Sequence, residues 1–181
     1  MKKSVSVFLC VSMIGLAVGC GHQTTTPTSS TTPESNAAPA VDGSKFLLNA
    51  EPDGAEDVIT VRESAQDEEE IVIVGRIGGS ENPWVADRAA FSIVDPSLKA
   101  CSDIPGDTCP YPWDYCCEVD KLPTSTALVR FVDADGNLVK VGARKLLNVK
   151  ELQTVVIRGQ AKRDESGNLT VLANSIFIRK K

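Results

Sequence analysis

Histidine is nearly missing from this 181-residue chain: there is one, His22, set in a stretch of threonine and serine with no other ligand type beside it. The commonest general base and metal ligand is therefore absent from everything after residue 22. No G-x-S-x-G elbow and no Gly-rich phosphate loop occurs, and no spacing brings two carboxylates together, so an enzyme is not expected. Aromatic residues are few, with five Phe, two Trp and two Tyr. A strongly basic face is also lacking, since the net charge is -5, and nucleic acid is not an expected partner. What is present is ordinary: 42% hydrophobic and 24% charged residues exclude wholesale disorder, collagen and coiled coil.

One long apolar run exists, 5–18, preceded by Lys2 and Lys3 and followed by Gly19 and Cys20. It is too short to span a bilayer and has the layout of a secretory signal peptide, residues 1–20. The ending Leu16-Ala17-Val18-Gly19-Cys20 resembles the lipobox of bacterial lipoproteins. That resemblance implies cleavage before Cys20, lipidation of Cys20, and a membrane partner reached through acyl chains that each contribute about 0.8 kcal/mol per buried CH2. Gly21 is not the aspartate that retains lipoproteins at the inner membrane, so the expected location is the outer membrane, facing the periplasm. Residues 21–44 carry six Thr, four Ser and three Pro and too little apolar surface to offset ordering entropy; they read as a disordered tether.

The remainder, 45–181, reads as one domain. Removing the leader leaves 17 basic against 24 acidic residues, and the acidity is concentrated at 45–70, where nine acids face Lys45 and Arg62. A short helix is expected over 53–65 with Asp53 as N-cap. β-Branched runs predict strands at 71–77, 89–95, 127–132, 154–159 and 169–178, with turn chemistry at Asp133-Ala134-Asp135-Gly136-Asn137 and a turn of helix within 144–152. The Asp133 turn begins like a calcium loop, but the required glycine falls at Leu138 and the closing glutamate at Arg144, so a turn is preferred. Five or six strands with little helix suggest a mainly β chain closed as a small antiparallel barrel.

The order of a short helix, a strand ending Gly75-Arg76-Ile77, then Phe91-Ser92-Ile93-Val94-Asp95, then V-x-I-x-G at 155–159 and L-x-V-x-A-x-x-I at 169–176 resembles the oligonucleotide/oligosaccharide-binding (OB) fold. It is similar in particular to the small exported bacterial OB-fold family, over 54–179. The phrases Gly75-Arg76-Ile77-Gly78-Gly79 and Cys109-Pro110-Tyr111-Pro112-Trp113-Asp114-Tyr115-Cys116-Cys117 resemble planctomycete lipoproteins. The OB resemblance implies a binding module working through the outer face of its second and third strands. Arg76, Ser92, Arg130 and Arg158 alternate with apolar neighbours and are candidates for that face, and Trp84 and Trp113 could add stacking surface. A glycan, a protein of the envelope or a small anionic ligand fits that location.

Between the second and third strands lies an insert, 96–125, with four cysteines in the spacing C-x7-C-x6-C-C: Cys101, Cys109, Cys116 and Cys117. Two explanations compete. In an oxidising compartment an even set implies disulfides; neighbouring Cys116 and Cys117 strain if joined to each other, leaving 101–116 with 109–117, or 101–117 with 109–116, and no cofactor. Alternatively the four thiolates hold zinc or an iron-sulfur cluster, or are redox-active, although the C-x2-C and C-x4-C knuckles of such sites are missing. The insert acids Asp103, Asp107, Asp114, Glu118 and Asp120 read as solvated loop carboxylates.

Overall fold

The computed structural model describes residues 41–180. The leader, Cys20 and the tether up to residue 40 lie outside the described residues. The last residues assigned to the tether are folded: Asp42 accepts the Ser44 backbone N–H (2.9 Å) and starts a 3-10 turn, Gly43–Phe46, whose Phe46 ring meets Phe131 edge-on at 5.3 Å.

The helix is capped four residues later than expected, at Asp57 rather than Asp53. Gly54 takes a positive φ of 75°, and Glu56–Asp57 instead form a short strand, β1, parallel to the next. Helix α1, Val58–Ser64, starts where Asp57 accepts the Thr60 N–H (2.8 Å) and Asp95, buried and distant in sequence, accepts the Ile59 N–H (2.8 Å). These two carboxylates satisfy donors that a helix start leaves free. At the other end Arg163 donates to the carbonyls of Val61, Arg62 and Ala65, capping the last turn with a cation where the helix dipole favours one.

The strands are β2 (Glu70–Ile77), β3 (Ala90–Val94), β4 (Thr126–Phe131), β5 (Thr154–Arg163) and β6 (Leu169–Ile178). They pair in the closed order β2–β3–β4–β6–β5–β2. All pairs are antiparallel except β4–β6, which is parallel. Five strands closed through one parallel contact, with helix α3 (Ala143–Leu147) between β4 and β5, make an OB-like barrel. Alternation explains the interior: Ile73, Phe91, Ile93, Val129, Phe131, Ile157, Val171 and Ile176 all point inward and are buried. β5 runs past its expected end, and where the register shifts between Arg158 and Gly159 the extra residue is Asn174 of β6, a bulge that bends the pair around the barrel. Gly159 permits this bend, since a Cβ there would overlap the Leu172 carbonyl oxygen. No described helix is long and apolar enough to cross a membrane.

The insert folds outside the barrel. It contains 3-10 turns at Cys101–Asp103 and Cys116–Glu118 and a short helix α2, Leu122–Ser125. Its small core joins Leu98, Ala100 and Tyr115 to Val94, at the outer side of β3.

Candidate metal centre

The insert starts at Asp95, whose carboxylate accepts the Ser97 N–H (2.9 Å) and hydroxyl (2.6 Å) and turns the chain off β3. Its two arms are then tied together: Cys101 N–H donates to the Pro112 carbonyl (3.0 Å), and Gly79 N–H, beyond the end of β2, donates to the Trp113 carbonyl (2.8 Å). Asp114 accepts the Cys116 N–H (2.9 Å), and Tyr115 between them adopts the left-handed conformation with φ 59°. A bulky residue rarely sits there. Its ring is fully buried in the insert core, and this holds Cys116 facing back toward Cys101.

The result brings four donors together. Cys116 Sγ lies 3.4 Å from Cys101 Sγ and 3.9 Å from Cys109 Sγ; Asp114 Oδ1 lies 3.4 Å from Cys101 Sγ and 3.8 Å from Cys109 Sγ. All four donor atoms fall within 4.8 Å of one another. With metal–sulfur bonds of about 2.3 Å and a metal–oxygen bond of about 2.0 Å, a tetrahedral ion separates its ligands by roughly 3.8 Å for S···S and roughly 3.5 Å for S···O. The four observed edges lie within about 0.4 Å of these values, the scale of a mononuclear site. An iron-sulfur cluster, whose own sulfides fill the space between its thiolates, needs them wider apart. Among the described residues none of the four cysteines is bridged, the closest sulfur pair standing well beyond the roughly 2.05 Å of a disulfide. The thiols also oppose collecting negative charge. For Cys116 the adjacent Cys101 sulfur, then burial, Cys109, Cys117 and the Asp114 carboxylate push its pKa well up. At Cys109 the Tyr111 backbone N–H pulls the pKa down, but burial, Cys101 and Asp114 outweigh it. A bound cation neutralises such a set and displaces its protons.

Cys117 stands apart from the four, exposed, with its sulfur 4.0 Å from that of Cys116. Asp114 takes the place expected of a fourth thiol. In sequence it reads as a loop acid; the one signal was its position two residues before Cys116, where an Asx turn forms.

The candidate barrel face is brought together only in part. Ser92 pairs with Leu128, and Arg130 with Ala90, so Ser92 and Arg130 are diagonal neighbours on the outside of β3 and β4. Arg76 is covered by the insert, paired with Asp103. Arg158 is on β5, which borders β2 and β6 but neither β3 nor β4. Trp84 packs on Phe91 at 5.6 Å, donates to Glu151 Oε1 (2.7 Å) and lies under the Arg144 guanidinium at 5.0 Å, so its ring closes a barrel end. Trp113 donates to the Glu81 carbonyl (3.0 Å) and meets Tyr111 edge-on. A groove of about 250 Å³ does run beside Ser92, and its other walls come from Arg62, Thr126, Leu128 and Asn168. Sequence reasoning did not find these, because Arg62 arrives from α1 and Asn168 from the β5–β6 loop.

No protein-family model matches the chain, and no curated protein matches it. Among solved structures it is similar to the hypothetical protein ygiW from E. coli, at 15% identity over 74% of this chain and 95% of that one, with a TM-score of 0.35. It is also similar to a protein described as an aspartyl-tRNA synthetase from Leishmania major Friedlin, at 8% identity over 72% of this chain, with a TM-score of 0.37. The match spans 21% of the synthetase. The strand order, rather than either likeness, defines the fold.

Proposed function

We propose that the chain is a non-enzymatic OB-like module, held at the outer membrane by lipid on Cys20, that binds a metal ion in its cysteine insert. The observation that carries this reading is the set Cys101, Cys109, Cys116 and Asp114, whose donor atoms all lie within 4.8 Å of one another. Zinc suits three thiolates and one carboxylate. The metal would bridge the two arms of the insert, whose folded core is small. The kinship with planctomycete lipoproteins belongs to this reading, since the shared phrase 109–117 contains three of the four donors.

Native mass spectrometry of the full exported chain in detergent, repeated after denaturation with a thiol-alkylating label, tests the proposal. One zinc per chain and label on all four insert cysteines is the expected result. A metal-free mass short by four hydrogens, with those cysteines refusing label, establishes two disulfides and overturns it. Anchoring is checked separately: Cys20→Ala abolishes incorporation of labelled fatty acid and moves the protein from the outer-membrane fraction to the soluble one.

A second reading is favoured by the groove beside Ser92, whose lining includes Arg62, Ser92 and Leu128. This surface suits a small anionic ligand or an anionic envelope glycan. Ser92→Ala with Arg62→Gln is expected to abolish binding to immobilised anionic envelope glycan; undiminished binding removes this reading.

A further inference from the structure

Beside the four donors of the candidate metal centre stands a further thiol, Cys117. Cys117 Sγ lies 4.0 Å from Cys116 Sγ, nearly the separation of Cys109 and Cys116, which belong to the set of four. Among the described residues its sulfur has no hydrogen-bonding partner other than Cys116. Cys116 and Cys117 are both exposed, whereas Cys101 is buried, so the centre is closed on the Cys101 side and open toward Cys117. The fourth donor inside the set is a carboxylate that also serves the backbone, since Asp114 holds the Cys116 N–H at 2.9 Å. It can therefore leave a metal without releasing the turn that presents Cys116. Carboxylates suit hard and borderline cations, while soft cations favour thiolate.

Resting on the metal centre proposed above, we infer that Cys117 is an exchange ligand: a soft d10 cation such as cadmium(II) or copper(I) takes the Cys117 thiolate in place of the Asp114 carboxylate, which gives the site a preference for thiophilic metals. In the exchange one metal–oxygen bond breaks and one metal–sulfur bond forms. The Cys117 proton passes to solvent, Asp114 remains a carboxylate, and no electron is transferred. The same site thus holds zinc through three sulfurs and one oxygen, and a soft ion through four sulfurs.

The test uses the full chain under anaerobic, reducing conditions with cadmium and zinc as the probes. Ultraviolet sulfur-to-cadmium charge-transfer absorption counts the coordinated thiolates, and competition between the metals gives the preference. For C117S, zinc stoichiometry is expected to stay the same, cadmium absorption to fall by about a quarter, and the preference for cadmium over zinc to fall at least about tenfold. Asp114→Asn, which keeps an oxygen for the Cys116 N–H, is expected to weaken zinc and leave cadmium unchanged. Cadmium absorption and preference unaltered in C117S overturn the exchange while the metal centre stands. Failure of the unmodified chain to take either metal overturns the centre and the exchange with it.

Discussion

The barrel and the insert are held by different means. The barrel has five long strands with no free edge along the closed circuit and a core running from Phe46 to Ile176. The insert has two 3-10 turns, a four-residue helix and a core of four buried residues, one of which belongs to β3. Burial of apolar surface is enough for the first. The second has too little of it, and the metal ion proposed for Cys101, Cys109 and Cys116 would supply the missing cross-link. The lesson is that a loop of this length gains a fixed shape where its ends are anchored and its middle is cross-linked.

The largest break in that comparison comes from the barrel itself. Phe131→Ala removes the ring that Phe46 and Phe91 both meet and is expected to cost about 3–5 kcal/mol, read as a large fall in the denaturant midpoint. Next comes Gly159→Ala, which forces a methyl against the Leu172 carbonyl and the Ala173 backbone; a loss of about 1–3 kcal/mol is expected by the same measurement. Chelation of the metal is expected to affect one region only, raising hydrogen exchange at residues 98–121 while β2 to β6 remain protected. Equal loosening of the barrel strands would show that the two regions are not independent.

A smaller effect runs in the opposite direction. Among the described residues the buried Tyr115 hydroxyl has no hydrogen-bond partner, and burial pushes its pKa up to about 12 despite the nearby Arg76. Since an unsatisfied buried hydroxyl is a cost, Tyr115→Phe is expected to stabilise the insert by up to about 1 kcal/mol, seen as slower exchange at Cys116 and Cys117. The smallest effect is acid dependence. Hydrogen bonds from Thr60 hold the Asp57 pKa below the ordinary carboxylate range, as those from Arg163 and Lys162 do for Asp67, and those from Asn168 for Asp164. A lowered folded-state value contributes stability above the unfolded pKa of about 3.9, which is lost as pH falls through the folded values. The thermal midpoint is therefore expected to be flat from pH 7 to 5 and to decline below about 4. A decline already complete at pH 5 would contradict these pairings.

The barrel was largely legible in the sequence, because alternation and turn residues are local signals; strand 169–178 has the bounds its pattern predicts. The start of α1 was not, because Asp53 and Asp57 are equally good caps and the choice is made by pairing with β2 and by Asp95. Alternation placed Arg158 outward but could not say on which side, which only the closure of the barrel decides. At the candidate metal centre the four insert cysteines were legible as a group, though not that Cys117 stands outside the set of donors. Asp114 was not, because its proximity depends on the left-handed backbone at Tyr115, a conformation that tyrosine by itself does not announce.

The Asp95 N–H donates to the Ser125 carbonyl at 2.9 Å. The chain therefore leaves the barrel and returns to it at a single point. To the folding barrel, everything between is one loop, and lengthening a loop twofold costs only about 0.6 kcal/mol of closure entropy. The cysteine insert is in this sense a portable part: excising residues 97–123 and closing the gap with a tight turn should leave β3 paired with β4, and the excised segment could be placed in another hairpin whose strands end equally close together.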